Sequence, residues 1–399
     1  MTDRIHPWLR VFLPFAAGYY LSYLLRNVNA VIAPDLTRDL GVSAADLGLL
    51  TSAYLLAFGA FQLPLGLLLD RYGPRRVEAA LLLIAATGCA SFALGTGLGQ
   101  LATARALIGL GVSACLMASF KAFSLWFPAE RQASLNAAVM AAGGLGALTA
   151  TTPVGWALPV AGWRDVFVGL AVLAVLAAAA IFSTPETRKV GAGETVAEQL
   201  RGLGAILKSR VFWRFAPQTA MLVGGFMAMQ GLWAVPWLMH FNGLTRDAAA
   251  FHLLLTGIAM LAGFLAIAAF VIPLKRRGIS PERILTGGMG LGVAANAAIA
   301  LDWLPTHAAW FFLGLVFSVG NLAYALLAAN FPPQLSGRVN TALNLGAFAG
   351  AFGLQWGFGA LVDGLQSGGL APRAAFQWSY GTLALLQAAS YGWFLRGRP

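Results

Sequence analysis

Apolar residues fall along the chain in about twelve runs, each near the roughly 20 residues that a helix needs to cross a bilayer. They lie near 9–33, 45–69, 77–96, 101–126, 133–158, 166–184, 211–237, 247–273, 284–301, 308–329, 339–363 and 374–395. Short polar connections separate them, apart from one longer stretch, Pro185–Arg210, in which Glu194–Leu207 is suited to a surface helix. The pattern predicts an all-α integral membrane chain: residues 1–184 as one six-helix bundle, 185–210 as a linker and 211–399 as a second bundle.

Charge sets the orientation. Eighteen Lys and Arg lie on one side of this arrangement, among them Arg71, Arg75, Arg76, Arg188, Lys275 and Arg338; only Arg38, Arg164, Arg246 and Arg373 lie on the other. The positive-inside rule then puts both termini in the cytoplasm, with Met1–Pro7 as a short tail. The densest cluster, Gly66-Leu-Leu-Leu-Asp70-Arg71-Tyr72-Gly73-Pro74-Arg75-Arg76, is too charged for lipid and forms a cytoplasmic hinge. Its Gly73-Pro74 step supplies the turn between antiparallel helices.

Composition changes the picture little. With 59% hydrophobic and 10% charged residues, the chain departs from soluble domains in the expected direction. Its net charge of +11 resides in loops, as topology signals and not as a nucleic-acid surface. Cys89 and Cys115 lie inside apolar runs, which excludes a disulfide scaffold. The sequence shows no metal cluster, cofactor loop or nucleophile–base pair, so an enzyme is not expected.

The halves look alike. Phe127-Pro128 precedes Arg131, and Phe331-Pro332 precedes Arg338; glycines follow each arginine by twelve and fifteen residues, at Gly143 and Gly146, then Gly350 and Gly353. A six-plus-six repeat is what transporter folds are built from.

On Gly66-x-x-x-Asp70-Arg71-x-Gly73-x-Arg75-Arg76, with Arg105-x-x-x-Gly109-x-Gly111 in the fourth span, the whole chain resembles the major facilitator superfamily. That resemblance implies secondary transport by rocker-switch alternating access. Arg26-Asn27-Val-Asn29…Pro34-Asp35, then Leu40-Gly41 and Gln62-Leu-Pro64-x-Gly66, look like anion:cation symporters, and Arg26 also looks like the arginine of organophosphate:phosphate antiporters. Both imply an anion-binding role for Arg26. The sequence departs from the symporters at Leu25 and Val112, where they carry the acids implicated in proton coupling.

The residues themselves agree on an anion. Arg26 lies at least five residues inside its span, about 8–10 Å at 1.5 Å per residue, too deep for easy snorkelling. Its planar fork suits a carboxylate or phosphate. No Asp or Glu falls in the middle of any span; Asp70 and Glu78 border the hinge. We therefore expect an inner-membrane transporter of a small organic anion, a monomer with a possible coupling ion or counter-anion. Arg26 would hold the anion, Gln62 would orient it, and Lys121 would be a second positive pole or a cytoplasmic gate. Tyr19, Tyr23, Asn29, Gln230, Trp233, Tyr324 and Asn344 are further cavity candidates. Gly66, Asp70, Arg71, Gly73, Arg75, Arg76 and Arg105 would form the gating motifs, and Arg214 an interfacial group. His240, His252 and His307 read as interfacial. The rival expectations are an exporter of amphipathic drugs and a transporter-like sensor that binds ligand without flux.

Overall fold

Backbone hydrogen bonds left open to lipid are too costly, so a chain of this composition must satisfy them within helices. The structure, a computed structural model, describes residues 7–41, 44–185 and 196–397, and among these every regular element is helical. Of the expected tail, Met1–Pro7, all but Pro7 lies outside the described residues.

Two units divide the chain. The first holds residues 1–203 with 331–342, and the second 204–330 with 343–399. The sequence placed the bundle boundaries at 184 and 211. The observed division falls within that expected linker, inside the helix Val196–Lys208, and a short piece of the later sequence, 331–342, groups with the first unit.

The first unit contains α1 (Leu13–Leu40), α2 (Ala44–Ala60), α3 (Gln62–Tyr72), α4 (Pro74–Ala93), α5 (Leu98–Val112), α6 (Cys115–Trp126) and α7 (Gln132–Phe182). The second expected span is thus two helices, α2 and α3, bent by 53° between Ala53–Ala60 and Pro64–Tyr72. The fifth and sixth spans run through α7, where Gly162 at φ 74° marks the turn between them. Linker helix α8 (Val196–Lys208) matches the surface helix expected there.

The second unit begins with α9 (Arg210–Thr219), α10 (Gly225–Ala228) and α11 (Ala234–His240), joined by π turns at Ala220–Gly224 and Met229–Trp233. It continues with α12 (Arg246–Arg276), α13 (Pro281–Ala300), α14 (Thr306–Phe317), α15 (Leu322–Ala328), the later part of α16 (Ser336–Ser367) and α17 (Pro372–Arg396). Seven helical stretches among the described residues are long and apolar enough to span a membrane, one of them running through α5 and α6 and two lying in α7; the bent α2–α3 pair, counted as one span, makes eight. The remaining spans are present as helices that are more polar or broken, α1 with its charges being the clearest.

Glycine sets how closely these helices approach. A Cβ at Gly109 would collide with the Tyr54 carbonyl, and one at Gly111 with the Ala85 amide, so α5 packs directly on the backbones of α2 and α4. The repeated glycines behave alike only in part. Gly146 meets the Tyr20 carbonyl and Gly350 that of Ala220, whereas Gly353 faces open space. Replacing Gly109 with alanine should lower stability by about 1–3 kcal/mol in thermal unfolding. Gly169→Ala is the control: it sits mid-helix with nothing within 4 Å and should be neutral or slightly stabilising.

One sequence expectation is corrected here. Glu78 does not border the hinge. Helix α4 starts at Pro74, so Glu78 lies a full turn inside it and is completely buried.

Candidate functional site

Tyr19, Tyr23 and Arg26 share a face of α1, because positions four and seven apart align on a helix. The Arg26 guanidinium lies 4.9 Å from the Tyr23 ring centroid and 5.1 Å from that of Phe58 on α2. Tyr54, one turn before Phe58, stacks on it at 6.2 Å. Arg105 comes from α5 and lies 4.7 Å over the Tyr54 ring, almost wholly buried. Its Nη1 donates to the Leu25 carbonyl at 3.0 Å. Gly109, one turn along α5, is what lets that helix reach the α2 backbone at Tyr54 and set Arg105 there. Two guanidiniums thus sit in one aromatic cluster, Arg26 over Tyr23 and Phe58 and Arg105 over Tyr54, in cation–π contacts of the kind worth about 0.5–2 kcal/mol each.

The other candidates of the first unit divide around this shelf. Tyr19 is buried, edge-on to Tyr23 at 5.1 Å, and packs where Gly143 leaves room. Asn29 is also buried. The expected substrate contact at Gln62 meets a fully buried side chain. Its amide donates to the Phe58 and Ser113 carbonyls at 3.2 and 3.4 Å, tying α3 to α2 and to the α5–α6 junction. Tyr54 and Phe58 were not expected at all. Their spacing of four was the available signal, hidden in a run that reads as lipid-facing.

Lys121 is not brought to Arg26. Its Nζ donates to Asp70 Oδ1 at 2.9 Å and to the Pro333 and Gln334 carbonyls at 3.0 and 2.9 Å. All three ammonium donors are used within a buried ion cluster; of the two roles expected for Lys121, a second positive pole and a cytoplasmic gate, this leaves no donor over for the first. Asp70 Oδ2 accepts from Arg338 Nε at 2.6 Å and from the Arg338 amide at 3.2 Å, while Oδ1 also accepts from the Gly337 amide at 3.1 Å. One carboxylate therefore caps the start of α16 and pairs with two cations, as favoured by the exposed amides and dipole of a helix N-terminus. Gly66 makes room, since a Cβ there would strike Thr341. Gly73, at φ 81°, makes the turn into α4. Arg71 and Arg76 are exposed, and Arg75 lies 4.7 Å over the Phe182 ring. Arg338, read from sequence as a loop charge and as a marker of the repeat, is the member whose place in the cluster was missed.

In the second unit the candidates are engaged with one another and with backbone. The Tyr324 hydroxyl donates to Asn344 Oδ1 at 3.0 Å, and both are buried. Trp233 Nε1 donates to the Gln355 carbonyl at 2.8 Å, with its ring against Phe358. Gln230 is half-buried. A network not foreseen runs from Tyr380 through Asn296 to Gln387, at 2.9 and 2.8 Å, and ends on the Met221 carbonyl. Arg214 is more than interfacial: it pairs with Glu282 at 2.6 Å and donates to the Phe394 carbonyl. Of the histidines, the His240 side chain lies outside the described residues, and His252 Nδ1 lies 2.7 Å from the Ala248 carbonyl. Among the described residues, no group of three His, Cys, Asp or Glu is placed to hold a metal ion.

Comparisons with known proteins bear on this geometry. The family profile described as Major Facilitator Superfamily matches residues 15–354. The chain is 29% identical over 216 residues to the hexuronate transporter of Escherichia coli K12, covering 50% of each. It is 24% identical over 370 residues to the probable galactarate/D-glucarate transporter GudP of Bacillus subtilis 168, covering 83% of this chain and 80% of that one. It thus spans about half the length of the hexuronate transporters it matches. In fold it is similar to the transporter FucP in the outward conformation, with a TM-score of 0.78, 14% identity and 99% of both chains covered.

Proposed function

The chain belongs to the Major Facilitator Superfamily, and on that premise we propose that it is a secondary active transporter of a small hydroxylated carboxylate. It works in a bacterial inner membrane, multi-pass, with both termini cytoplasmic. The observation that carries the proposal is the pair of guanidiniums, Arg26 and Arg105, on the aromatic shelf of Tyr23, Tyr54 and Phe58. Arg105 is held by a neutral carbonyl, and among the described residues no carboxylate pairs with it. Concentrated positive charge in a medium of low dielectric favours an anion over a cation or a neutral sugar. Guanidinium geometry narrows that to a planar oxyanion bound by two parallel hydrogen bonds. The aromatic faces suit the apolar side of a sugar ring. Hexuronate and galactarate/D-glucarate, named for two similar transporters, are both hydroxylated carboxylates.

The test is a thermal-shift comparison of D-galacturonate with D-galactose on purified protein, followed by flux in liposomes. A bound ligand stabilises by RT ln(1 + [L]/Kd), about 2.7 kcal/mol at a hundredfold excess over Kd. Galacturonate should raise the melting temperature and galactose should not. Equal stabilisation by both, or flux of organic cations alone, overturns the proposal. Stabilisation without flux points to a sensor.

A further inference from the structure

We propose that Glu78 is the proton-carrying group that couples anion movement to a proton gradient. This inference rests on the anion-transport reading above and adds the coupling ion to it.

Glu78 is wholly buried on α4, and neither carboxyl oxygen has a hydrogen-bond partner. The group it faces is the Cys115 thiol on α6, a weak donor. From α1 it meets Gly18, where any Cβ would run into Oε1, and Ile181 of α7 closes the same pocket. Cys115 is the sole titratable neighbour among the described residues, and no Lys, Arg or His acts on the carboxyl. Arg75, one turn back on α4, lies over Phe182 instead. An ionised carboxylate in such a place would cost several kcal/mol with only a weak thiol donor to offset it. In this conformation Glu78 is therefore a neutral acid, with its proton on the carboxyl.

A short line of polar groups joins it to the arginine shelf. Cys115 also interacts with Ser22 of α1, and Ser22 Oγ donates to the Val112 carbonyl at 3.5 Å. One turn further along α1 come Leu25, whose carbonyl receives Arg105, and Arg26 itself. The charge then balances: a monovalent carboxylate at Arg26 and one proton on Glu78 move no net charge. The proton is accepted by the carboxylate when water reaches it and is returned to water when the packing around Gly18 opens.

The experiment uses purified full-length protein in liposomes with D-galacturonate. Two modes are compared: counterflow at equal pH, and accumulation driven by an inward proton gradient. In Glu78→Gln, counterflow should stay within about twofold of wild type while gradient-driven accumulation falls about tenfold or more, the size of an ordinary coupling term. Cys115→Ala, a small change at a buried site, should slow gradient-driven uptake with counterflow retained, which keeps the test open if Glu78→Gln fails to fold. Infrared difference spectra should show a protonated-carboxyl band in wild type that is missing from Glu78→Gln. Gradient-driven accumulation that survives Glu78→Gln, or a wild type without that band, overturns the role of Glu78 and leaves anion transport standing. Absence of wild-type counterflow removes the anion reading itself, and the coupling with it.

Discussion

Alanine in place of Arg26 is expected to remove galacturonate counterflow in liposomes, by a factor of about 30 to several thousand. Truncating one partner of a desolvated, hydrogen-bonded charge pair costs about 2–5 kcal/mol, and each 1.4 kcal/mol is about tenfold. The loss should appear as weaker binding, seen directly as a lost thermal shift with galacturonate. Folding should be affected less, since Arg26 is half-buried and its neighbours Tyr23 and Phe58 keep contacts of their own. Arg26→Lys separates charge from shape. Lysine keeps the positive charge but lacks the planar fork that lies against the two rings and matches a carboxylate. An intermediate loss is expected, and full activity in the lysine variant would show that only net charge matters. Unchanged counterflow in Arg26→Ala would sink the proposed site.

Much of this was legible because it is local. Span lengths, the Gly73-Pro74 turn and the charge asymmetry of the loops are written within a few residues of one another. Asp70 was placed in the charged hinge and its gating motif for the same reason, since that loop carries too much charge to sit in lipid. What was missed depends on partners far away in sequence. Lys121 stayed open between a positive pole and a cytoplasmic gate because its acceptors are 51 residues back at Asp70 and more than 200 residues ahead at Pro333 and Gln334. Glu78 looked superficial because a few residues separate it from a charged turn, yet helix α4 begins immediately at Pro74 and carries it inward. Tyr54 and Phe58 were not singled out because the apolar run that holds them cannot show whether a ring meets lipid or a neighbouring arginine. Gln62 was expected at the cavity from its match to the symporter pattern, and its amide bonds to the Phe58 and Ser113 carbonyls, partners that the pattern does not show.

Asp70→Ala should produce the largest stability loss of any single change in the first unit, about 3–5 kcal/mol, the range for breaking a buried ion pair by removing one partner. The carboxylate accepts four hydrogen bonds, from Lys121, Arg338 Nε and the amides of Gly337 and Arg338. Its side chain and those of both cations are only 2–3% exposed. Removing it strands two positive charges and uncaps the start of α16 at once. Asp70→Asn keeps the size and one acceptor oxygen, so its cost should be smaller, near the 1.5–3 kcal/mol of a hydrogen bond to a charged group. The decisive comparison is Asp70→Asn combined with Lys121→Met. If the penalty comes from an uncompensated ammonium, the second change restores part of the stability lost in the first, with a non-additivity of about 0.5–3 kcal/mol. If the cluster matters only as packing, the two losses add. Thermal unfolding of the four proteins in detergent decides it, and because the pairs are buried the result should be nearly independent of salt. A wild-type melting temperature in Asp70→Ala would mean that the charges Lys121 and Arg338 find other partners, and that the cap on α16 contributes little to holding residues 331–342 in the first unit.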